Sequence, residues 1–250
     1  MKRLQLLGAL AAVTLALPAH ALDLSAMTEA EREAFRAEVR AYLLENPEVL
    51  MEAIAILEQR QTEDQIAADR DKVAANADEL FFDADSWVGG NPEGDVTLVE
   101  FMDYRCSFCR RAHPEVEALI EGDGNIRYIV KEFPILGDES VAASRFALAV
   151  RAVAGDSAYA DVHDRLMTAR GNMNEETFAR VAEEFGLDTE AIMVEMGSPE
   201  IDRILQENYA LAQALEISGT PSFVFQTDLV RGYVPLDSMQ GIVRAIRDGS

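Results

Sequence analysis

Two cysteines, Cys106 and Cys109, stand close together in the middle of the chain, and the sequence contains no others. They follow an almost uninterrupted apolar run, residues 96–102, which is typical of a strand buried on both faces. Residues 104–121 have a helical pattern, so the first cysteine lies near the start of a helix. The free backbone N–H groups and the positive dipole end of that helix favour a thiolate at Cys106.

The spacing of the two cysteines permits exchange chemistry. Two intervening residues, Ser107 and Phe108, let Cys109 reach Cys106 on the first helical turn. The pair can therefore close a disulfide, and Cys109 can resolve a mixed disulfide formed at Cys106.

Positive charge gathers around the pair in a chain whose average sign is strongly negative. Arg105, Arg110 and Arg111 fall within seven residues. We expect them to lower the pKa of Cys106 further, because a neighbouring cation stabilises a thiolate. Arginine-rich flanks also oppose burial, so the pattern favours a redox-active pair over two unrelated buried thiols.

Two other interpretations of the pair remain open. One is a structural disulfide, although a two-residue loop constrains the unfolded chain least and stabilises it little. The other is a copper or zinc site formed by Cys106, Cys109 and His113, because His113 follows Cys109 by one helical turn. A fourth ligand is missing, since His163 is the only other histidine after residue 21.

Composition places the chain among globular proteins. Its 250 residues are 49% hydrophobic and 27% charged, which suits one or two domains with a sizeable core. The formal net charge is −23, so a phosphate backbone would repel it, and nucleic-acid binding is excluded as a function class. Two cysteines are too few for a disulfide-dense scaffold or an all-cysteine zinc site.

The first 21 residues have the features of an export signal. A short basic start is followed by an apolar stretch, residues 4–17, and by the cleavage pattern Ala19-His20-Ala21. The apolar stretch is short for a membrane anchor, which needs about 20 residues. We predict cleavage after Ala21 and a periplasmic protein, in a compartment that permits disulfides.

Residues 28–80 are predicted to form helices. Thr28 and Glu31 form a capping box, and Asn46-Pro47 marks a break, with Asn46 as the expected N-cap of a second helix. The second helix carries a narrow apolar seam: Leu50, Ile54, Leu57, Ile66, Val73 and Leu80. The seam is too narrow for a core of its own, so these helices are either an oligomerisation element or a solvent-exposed spacer.

The remaining elements predict an α/β fold. Strands are expected at 96–102, 126–130, 222–225 and 229–234, turns at 83–95, helices broken by glycines at 139–215, and a last helix at 236–247. A strand–helix–strand opening implies a right-handed parallel pairing, and the later hairpin adds antiparallel strands to the same sheet. The pattern indicates an α/β layer fold with a helical insertion.

Two stretches resemble the DsbA family of periplasmic thiol–disulfide oxidoreductases. Residues 90–109, GNPEGDVTLVEFMDYRCSFC, are similar to the family's segment through the redox motif, and residues 219–223, GTPSF, to its cis-proline loop. The resemblance covers about residues 86–250 and implies a thioredoxin fold with an inserted helical domain. The N-terminal helices, with their Glu45-Asn46-Pro47-Glu48 break, look more like the ScsC and Com1-like branch.

The resemblance implies roles for five residues. Cys106 matches the nucleophile, Cys109 the resolving cysteine, and Thr220 and Pro221 the loop facing the disulfide. Glu100 matches a buried acid six residues before the nucleophile, where a carboxylate could relay the proton of the resolving thiol. A glutamate that faces solvent at the end of a strand is the other interpretation of Glu100.

These features together predict three parts: a signal peptide at 1–21, an N-terminal helical arm at 22–82, and a DsbA-like thioredoxin domain at 83–250 with a helical insertion at about 138–215. We expect periplasmic thiol–disulfide exchange, as an oxidase or an isomerase, on exported proteins that contain cysteine. A DsbB- or DsbD-like membrane redox partner is expected, with residues 28–80 as a candidate homo-oligomerisation element and no cofactor. The dipeptide Ser107-Phe108 departs from the Pro-His of DsbA and offers the thiolate no histidine donor.

Overall fold

The computed structural model of the protein describes residues 27–249, so the predicted signal peptide lies outside the described residues. The helices are Glu29–Glu45 (α1), Glu48–Ala75 (α2), Ala77–Phe81 (α3), Ser107–Asp123 (α4), Asp138–Ala154 (α5), Asp156–Thr168 (α6), Glu175–Glu184 (α7), Thr189–Glu195 (α8), Pro199–Ala214 (α9) and Leu236–Asp248 (α10). The strands are Trp87–Gly90 (β1), Val96–Met102 (β2), Ile126–Glu132 (β3), Ser222–Phe225 (β4) and Asp228–Arg231 (β5). The chain divides into two compact units, one up to Gln59 and one from Arg60 onward.

The first unit contains α1 and the first part of α2. The capping box that the sequence predicts is present, because the Thr28 hydroxyl accepts from the Glu31 backbone and the Glu31 carboxylate accepts from the Thr28 backbone at 2.8 Å. Asn46 closes α1 rather than opening α2 as predicted, and its side-chain amide donates to the carbonyl of Tyr42 at 2.9 Å. No residue of α1 is buried, so within this unit the helix has no core to pack into.

The second unit is built on a five-stranded sheet in the order β1-β3-β2-β4-β5. The central strands β2 and β3 are parallel, with Val99 opposite Ile129, and the other pairs are antiparallel. This confirms the predicted α/β architecture. The parallel pair needs a crossover, and α4 supplies it between the two strands.

The apolar run of β2 is explained by its central place in the sheet. Successive side chains of a strand point to opposite faces. Leu98 and Met102 join one apolar cluster, and Val99 and Phe101 join another. Both faces of β2 are therefore buried. The strand ends inside the fold, and the cysteines follow shortly after its last residue.

The sequence failed to predict β1, which lies within the segment expected to be turns. It has four residues, two of them glycines, and pairs antiparallel with β3 at the edge of the sheet. So short a run carries no periodicity to read. A Cβ at Gly89 would meet the ring of Trp87 at 2.2 Å, so the glycine leaves room for that ring.

The apolar seam of α2 divides between the two units. Leu50, Ile54, Leu57 and Ile66 are about half exposed, but Val73 and Leu80 are fully buried in the second apolar cluster. The last turns of α2, together with α3, therefore belong to the core of the second unit. The division at Gln59 falls earlier in the chain than the sequence-based boundary at residue 82. Among the described residues, no helix is long and apolar enough to cross a bilayer.

We predict that Asp69 of α2 stabilises the second unit through Arg231 of β5. Asp69 is 5% exposed, and its two carboxylate oxygens accept from the Arg231 guanidinium at 2.6 and 3.0 Å. In urea unfolding, Asp69→Asn should lower the free energy of unfolding by about 1–3 kcal/mol, because a charged donor loses its partner. Arg231 lowers the pKa of Asp69, so this stability is present above the unfolded-state pKa of about 3.9 and lost as the pH falls through the lowered value.

The matched control is Asp228→Asn, which breaks an exposed pair with Arg70 between the same two elements. Exposed pairs contribute at most about 1 kcal/mol. Equal losses in the two variants would contradict a specific role for Asp69.

Candidate active site

A buried aspartate holds the turn between β2 and α4. Asp103 is fully buried, and its carboxylate accepts from the backbone of Arg105 at 2.7 Å and from the backbone of Ile135 at 2.8 Å. Its carbonyl accepts from the backbone of Cys106 at 3.0 Å. Asp103 thus ties the first cysteine to the loop after β3, and it fixes where α4 begins.

Cys106 occupies the N-cap position of α4, where backbone N–H groups of a helix have no partner within the helix. Its pKa is lowered to about 5. The largest cause is the hydrogen bond from the Cys109 thiol, which burial opposes, and Thr220 and the backbone N–H groups of Cys109 and Phe108 add to the lowering. The site therefore stabilises a thiolate at a position that is 6% exposed.

The three arginines near the cysteine pair contact backbone carbonyls and an aromatic ring. Arg105 and Arg110 donate to backbone carbonyls, two of them in the loop after α6. Arg111 lies over the ring of Tyr233, with 4.2 Å to its centroid. No arginine is among the main causes of the lowered pKa of Cys106, so that lowering does not depend mainly on the arginines. They secure the helix and its neighbouring loop instead.

Cys109 has the opposite electrostatic character. It is fully buried, and burial raises its pKa, with the charges of Cys106 and Glu100 acting in the same direction. The two thiols therefore separate into one that ionises readily and one that keeps its proton until a base removes it. Such a pair of shifted groups is a signature of an active site.

Glu100 is a buried carboxylate that interacts electrostatically with both thiols. It is 2% exposed, so the alternative of a solvent-facing residue was wrong. Burial raises its pKa to about 7, against the hydrogen bond that it accepts from the Tyr128 hydroxyl at 2.5 Å. Its second oxygen, Oε1, has no hydrogen-bond partner among the described residues. A carboxylate that is half protonated near neutral pH can take up and return a proton.

The loop before β4 completes the arrangement. The peptide bond between Thr220 and Pro221 is cis, as the resemblance implied. The carbonyl of Thr220 accepts from the Cys106 thiol at 3.2 Å when the sulfur is protonated, and the Thr220 side chain favours the thiolate. Pro221 is buried, and its carbonyl accepts from the backbone of Gly232 at 2.9 Å. The loop therefore lies directly against the first cysteine.

His113 does not join the thiols in a metal-ligand cluster. Among the described residues, the potential metal ligands that come together are His113, His163 and Asp164, with one ligand atom of each within 4.8 Å of the others. The alternative metal site with Cys106 and Cys109 therefore finds no support in the geometry.

Sequence reasoning missed Asp103, Tyr128 and the three-residue cluster. Asp103 has one local signal, since it directly follows a strand and a short acidic side chain favours a turn there. Tyr128 and His163 have none, because their partners are 28 and 59 residues away along the chain.

Two family models match the chain. The model described as Thioredoxin matches residues 82–245. The model described as Copper resistance protein ScsC N-terminal domain matches residues 31–63.

Solved structures show the same likeness. A thioredoxin-like oxidoreductase from Silicibacter pomeroyi DSS-3 is 44% identical, with 69% of this chain and 98% of that chain covered and a TM-score of 0.65. Proteus mirabilis ScsC in a transitional conformation is 30% identical, covering 88% and 98%, with a TM-score of 0.64. BcfH of Salmonella enterica Typhimurium is 29% identical, covering 86% and 95%, with a TM-score of 0.70.

Among curated proteins, the chain is 29% identical over 136 residues to a Na(+)/H(+) antiporter NhaA 3 of Salinispora tropica, a match that covers 54% of this chain and 21% of the antiporter. This chain spans about a fifth to a quarter of the length of the curated relatives that it matches. The thioredoxin model covers more than half of this chain, and the thioredoxin-like and ScsC structures are covered almost completely. The chain therefore belongs to the thioredoxin-like family of thiol–disulfide oxidoreductases, with an N-terminal segment of the ScsC type.

Proposed function

We propose that this protein exchanges disulfides with exported, cysteine-containing proteins in the periplasm, through Cys106 and Cys109. The observation that carries the proposal is the separation of the two thiols by their surroundings. Cys106 has a pKa of about 5 at a helix N-terminus, while burial raises the pKa of Cys109 one turn later. At neutral pH only the first sulfur is a ready nucleophile.

The exchange proceeds in two displacements. The Cys106 thiolate attacks one sulfur of a client disulfide, forming a mixed disulfide and releasing the other client sulfur as a thiolate. Cys109 then gives its proton to Glu100 and attacks Cys106, which releases the second client sulfur and leaves a Cys106–Cys109 disulfide. The client gains two electrons, and the pair loses two. The same steps in reverse oxidise a client dithiol.

Thr220 and Pro221 are proposed to receive the client chain. The Thr220 carbonyl lies 3.2 Å from the Cys106 sulfur, so a client cysteine bonded to that sulfur must pass beside this loop. Pro221 has no backbone N–H and offers no donor next to the sulfurs. The neighbouring backbone can pair with an extended client segment. A DsbB- or DsbD-like membrane partner would then reset the redox state of the pair.

The first prediction concerns the identity of the acidic thiol. The ultraviolet absorbance of the thiolate in the reduced protein should titrate with a midpoint of about 5. Cys106→Ser should remove this step and abolish the reduction of insulin disulfides. Cys109→Ala should retain a titrating Cys106 with a higher midpoint, because the hydrogen bond that is the largest cause of the lowered pKa is lost.

The stability of the reduced protein should follow the same titration. The folded pKa of Cys106 lies below the unfolded value, so its contribution is complete above about 8.5 and is lost as the pH falls through 5. The difference in the free energy of unfolding between the reduced protein and Cys106→Ser, measured in urea across this range, isolates it, because Glu100 and Glu132 titrate in both proteins. A Cys106 midpoint near 8.5, with no such pH dependence, would remove the proposed mechanism.

The second prediction concerns Glu100. Glu100→Gln keeps the hydrogen bond from Tyr128 but cannot accept a proton, so the resolving step of a mixed disulfide at Cys106 should slow by roughly 100-fold or more. In the unmodified protein the rate of this step should rise as the pH passes through about 7, the pKa of Glu100. The variant should lose that inflection. Stopped-flow measurement of mixed-disulfide decay over a pH series provides both readouts.

Glu132→Gln is the matched control for this experiment. Glu132 is also buried in the sheet, and burial also raises its pKa to about 7, but its carboxylate contacts Tyr104, Tyr159 and Ser144. The control should keep the inflection of the unmodified protein. If both variants keep it, Glu100 is a structural acid and not the proton acceptor.

We also propose that the N-terminal arm joins copies of this chain. Within the first unit, α1 and the start of α2 border a groove of about 400 Å³ lined mainly by apolar side chains: Phe35, Val39, Leu43, Leu44 and Leu50, with Arg36 and Arg40. A buried CH₂ group contributes about 0.8 kcal/mol, so several such side chains from each copy can offset the entropy of association. Joined copies would present several Cys106 thiolates to one client, which favours isomerisation of wrong disulfides.

The third prediction tests this assembly. In light scattering, the full chain should have a multiple of the single-chain mass, and Leu50→Lys combined with Ile54→Lys should reduce it to one chain. Both residues are about half exposed, so the change should leave the second unit folded. Refolding of a scrambled substrate should slow in this variant, while reduction of insulin should not.

Gln61→Lys adds one lysine, against two in the test variant, at a polar position of the same helix and serves as the control. It should leave both mass and refolding unchanged. A single-chain mass for the unaltered protein would discard the assembly. An unchanged refolding rate in a dissociated variant would keep the assembly but discard its role in isomerisation.

A further inference from the structure

A second group of reactive side chains lies between α4 and α6. His113 projects from α4, and His163 and Asp164 from α6, and one ligand atom of each lies within 4.8 Å of the others. Nε2 of His113 is 3.4 Å from a carboxylate oxygen of Asp164, and the two imidazole rings meet edge to face at 5.3 Å between centroids. All three residues line one cavity of about 280 Å³. The redox mechanism uses none of them.

The hydrogen bonds of His163 determine which ring nitrogen is free. Its Nδ1 lies 3.0 Å from the hydroxyl of Tyr104, and that hydroxyl donates its only proton to Glu132 at 2.8 Å. When Glu132 is ionised, Tyr104 therefore accepts a hydrogen bond from Nδ1–H of His163. A neutral imidazole carries one proton, so Nε2 is left with a lone pair and no proton.

That lone pair is unsatisfied. His163 is 2% exposed, and its Nε2 has no hydrogen-bond partner among the described residues. An unpaired buried polar atom is costly and calls for a ligand. A neutral imidazole whose other nitrogen is fixed by a hydrogen bond is the usual form of a metal-binding histidine.

We propose that His113, His163 and Asp164 form a binding site for a divalent transition-metal ion, with Zn²⁺ as the occupant. Two imidazole nitrogens and one carboxylate oxygen are a ligand set that Zn²⁺ accepts, with water in the fourth position. Calcium and magnesium are excluded because they require mainly oxygen ligands in larger number. The side chain of Asp164 is 55% exposed, which gives the ion a path from solvent.

A further carboxylate faces this site. Glu117 has a carboxylate oxygen 3.7 Å from Nε2 of His113, so it adds negative charge beside the ion.

The test measures Zn²⁺ binding in a protein that lacks the competing thiols. Untagged full-length chain with Cys106→Ser and Cys109→Ser is stripped with a chelator and titrated with Zn²⁺ against a colorimetric chelator. The expected stoichiometry is one ion per chain. His163→Gln or Asp164→Asn in this background should lower the affinity at least tenfold. Tyr104→Phe, which removes the hydroxyl between His163 and Glu132 and so frees the tautomer of His163, should lower it by about 10–100-fold.

Asp161→Asn is the matched control, since it removes the same charge from the same helix at an exposed position outside the cluster. It should leave the affinity unchanged. Asp164 is itself exposed, so its variant remains informative even if the buried His163→Gln fails to fold. Co²⁺ provides a second readout, because coordination by two imidazoles and a carboxylate gives an intense visible absorption band that the His163 and Asp164 variants should lose.

Failure to bind one equivalent of Zn²⁺ would overturn the proposal. So would an affinity that both Asp164→Asn and Asp161→Asn lower equally, because that result describes general attraction to an acidic surface. Binding of Cu²⁺ alone, with the same dependence on His163, would overturn the assignment to Zn²⁺. Thiol–disulfide exchange in the chain with its cysteines intact is measured separately, so the two proposals stand or fall independently.

Discussion

A reactive thiolate at Cys106 depends on the donors around its sulfur: the Cys109 thiol first, then Thr220 and the backbone N–H groups at the start of α4. These donors meet at the sulfur because β2 delivers the chain there. β2 is buried on both faces, so its end is fixed within the fold. Asp103 then sets the turn by accepting from three backbone N–H groups: those of Arg105, Ile135 and Leu136. The chemistry of the site follows from this one junction between a central strand and a helix.

Around that junction, two cysteines and two glutamates have different roles because their surroundings differ. Cys106 and Cys109 are the same residue type, but at Cys109 burial outweighs the one backbone donor, whereas at Cys106 the Cys109 thiol, Thr220 and two backbone donors outweigh burial. Glu100 and Glu132 are both buried acids with pKa values raised to about 7, but only Glu100 interacts electrostatically with the thiols. Glu132 instead orders the hydroxyls of Tyr104 and Tyr159, and through Tyr104 it determines the tautomer of His163. The network of polar groups thus reaches from the sheet to the cluster between α4 and α6.

The N-terminal helices α1 and α2 present two kinds of surface, one buried and one apolar but exposed to solvent. The last part of α2 inserts Val73 into the core of the second unit and pairs Asp69 with Arg231, so it is a structural part of that unit. The first part of α2 and all of α1 keep large apolar side chains in solvent.

The sequence by itself determined the elements whose signal is local. The run of β2, the capping box of α1, the helices separated by glycines and the two cysteines at a helix start all follow from residues within one or two turns of each other, where periodicity and capping operate. Only the tertiary structure decided the rest. It paired β1 with β3, buried Glu100 beside Tyr128, turned the arginines away from Cys106 and brought His113 to His163. Each of these contacts joins residues far apart in the chain, and their energies come from burial and charge in the folded interior, which no local pattern encodes.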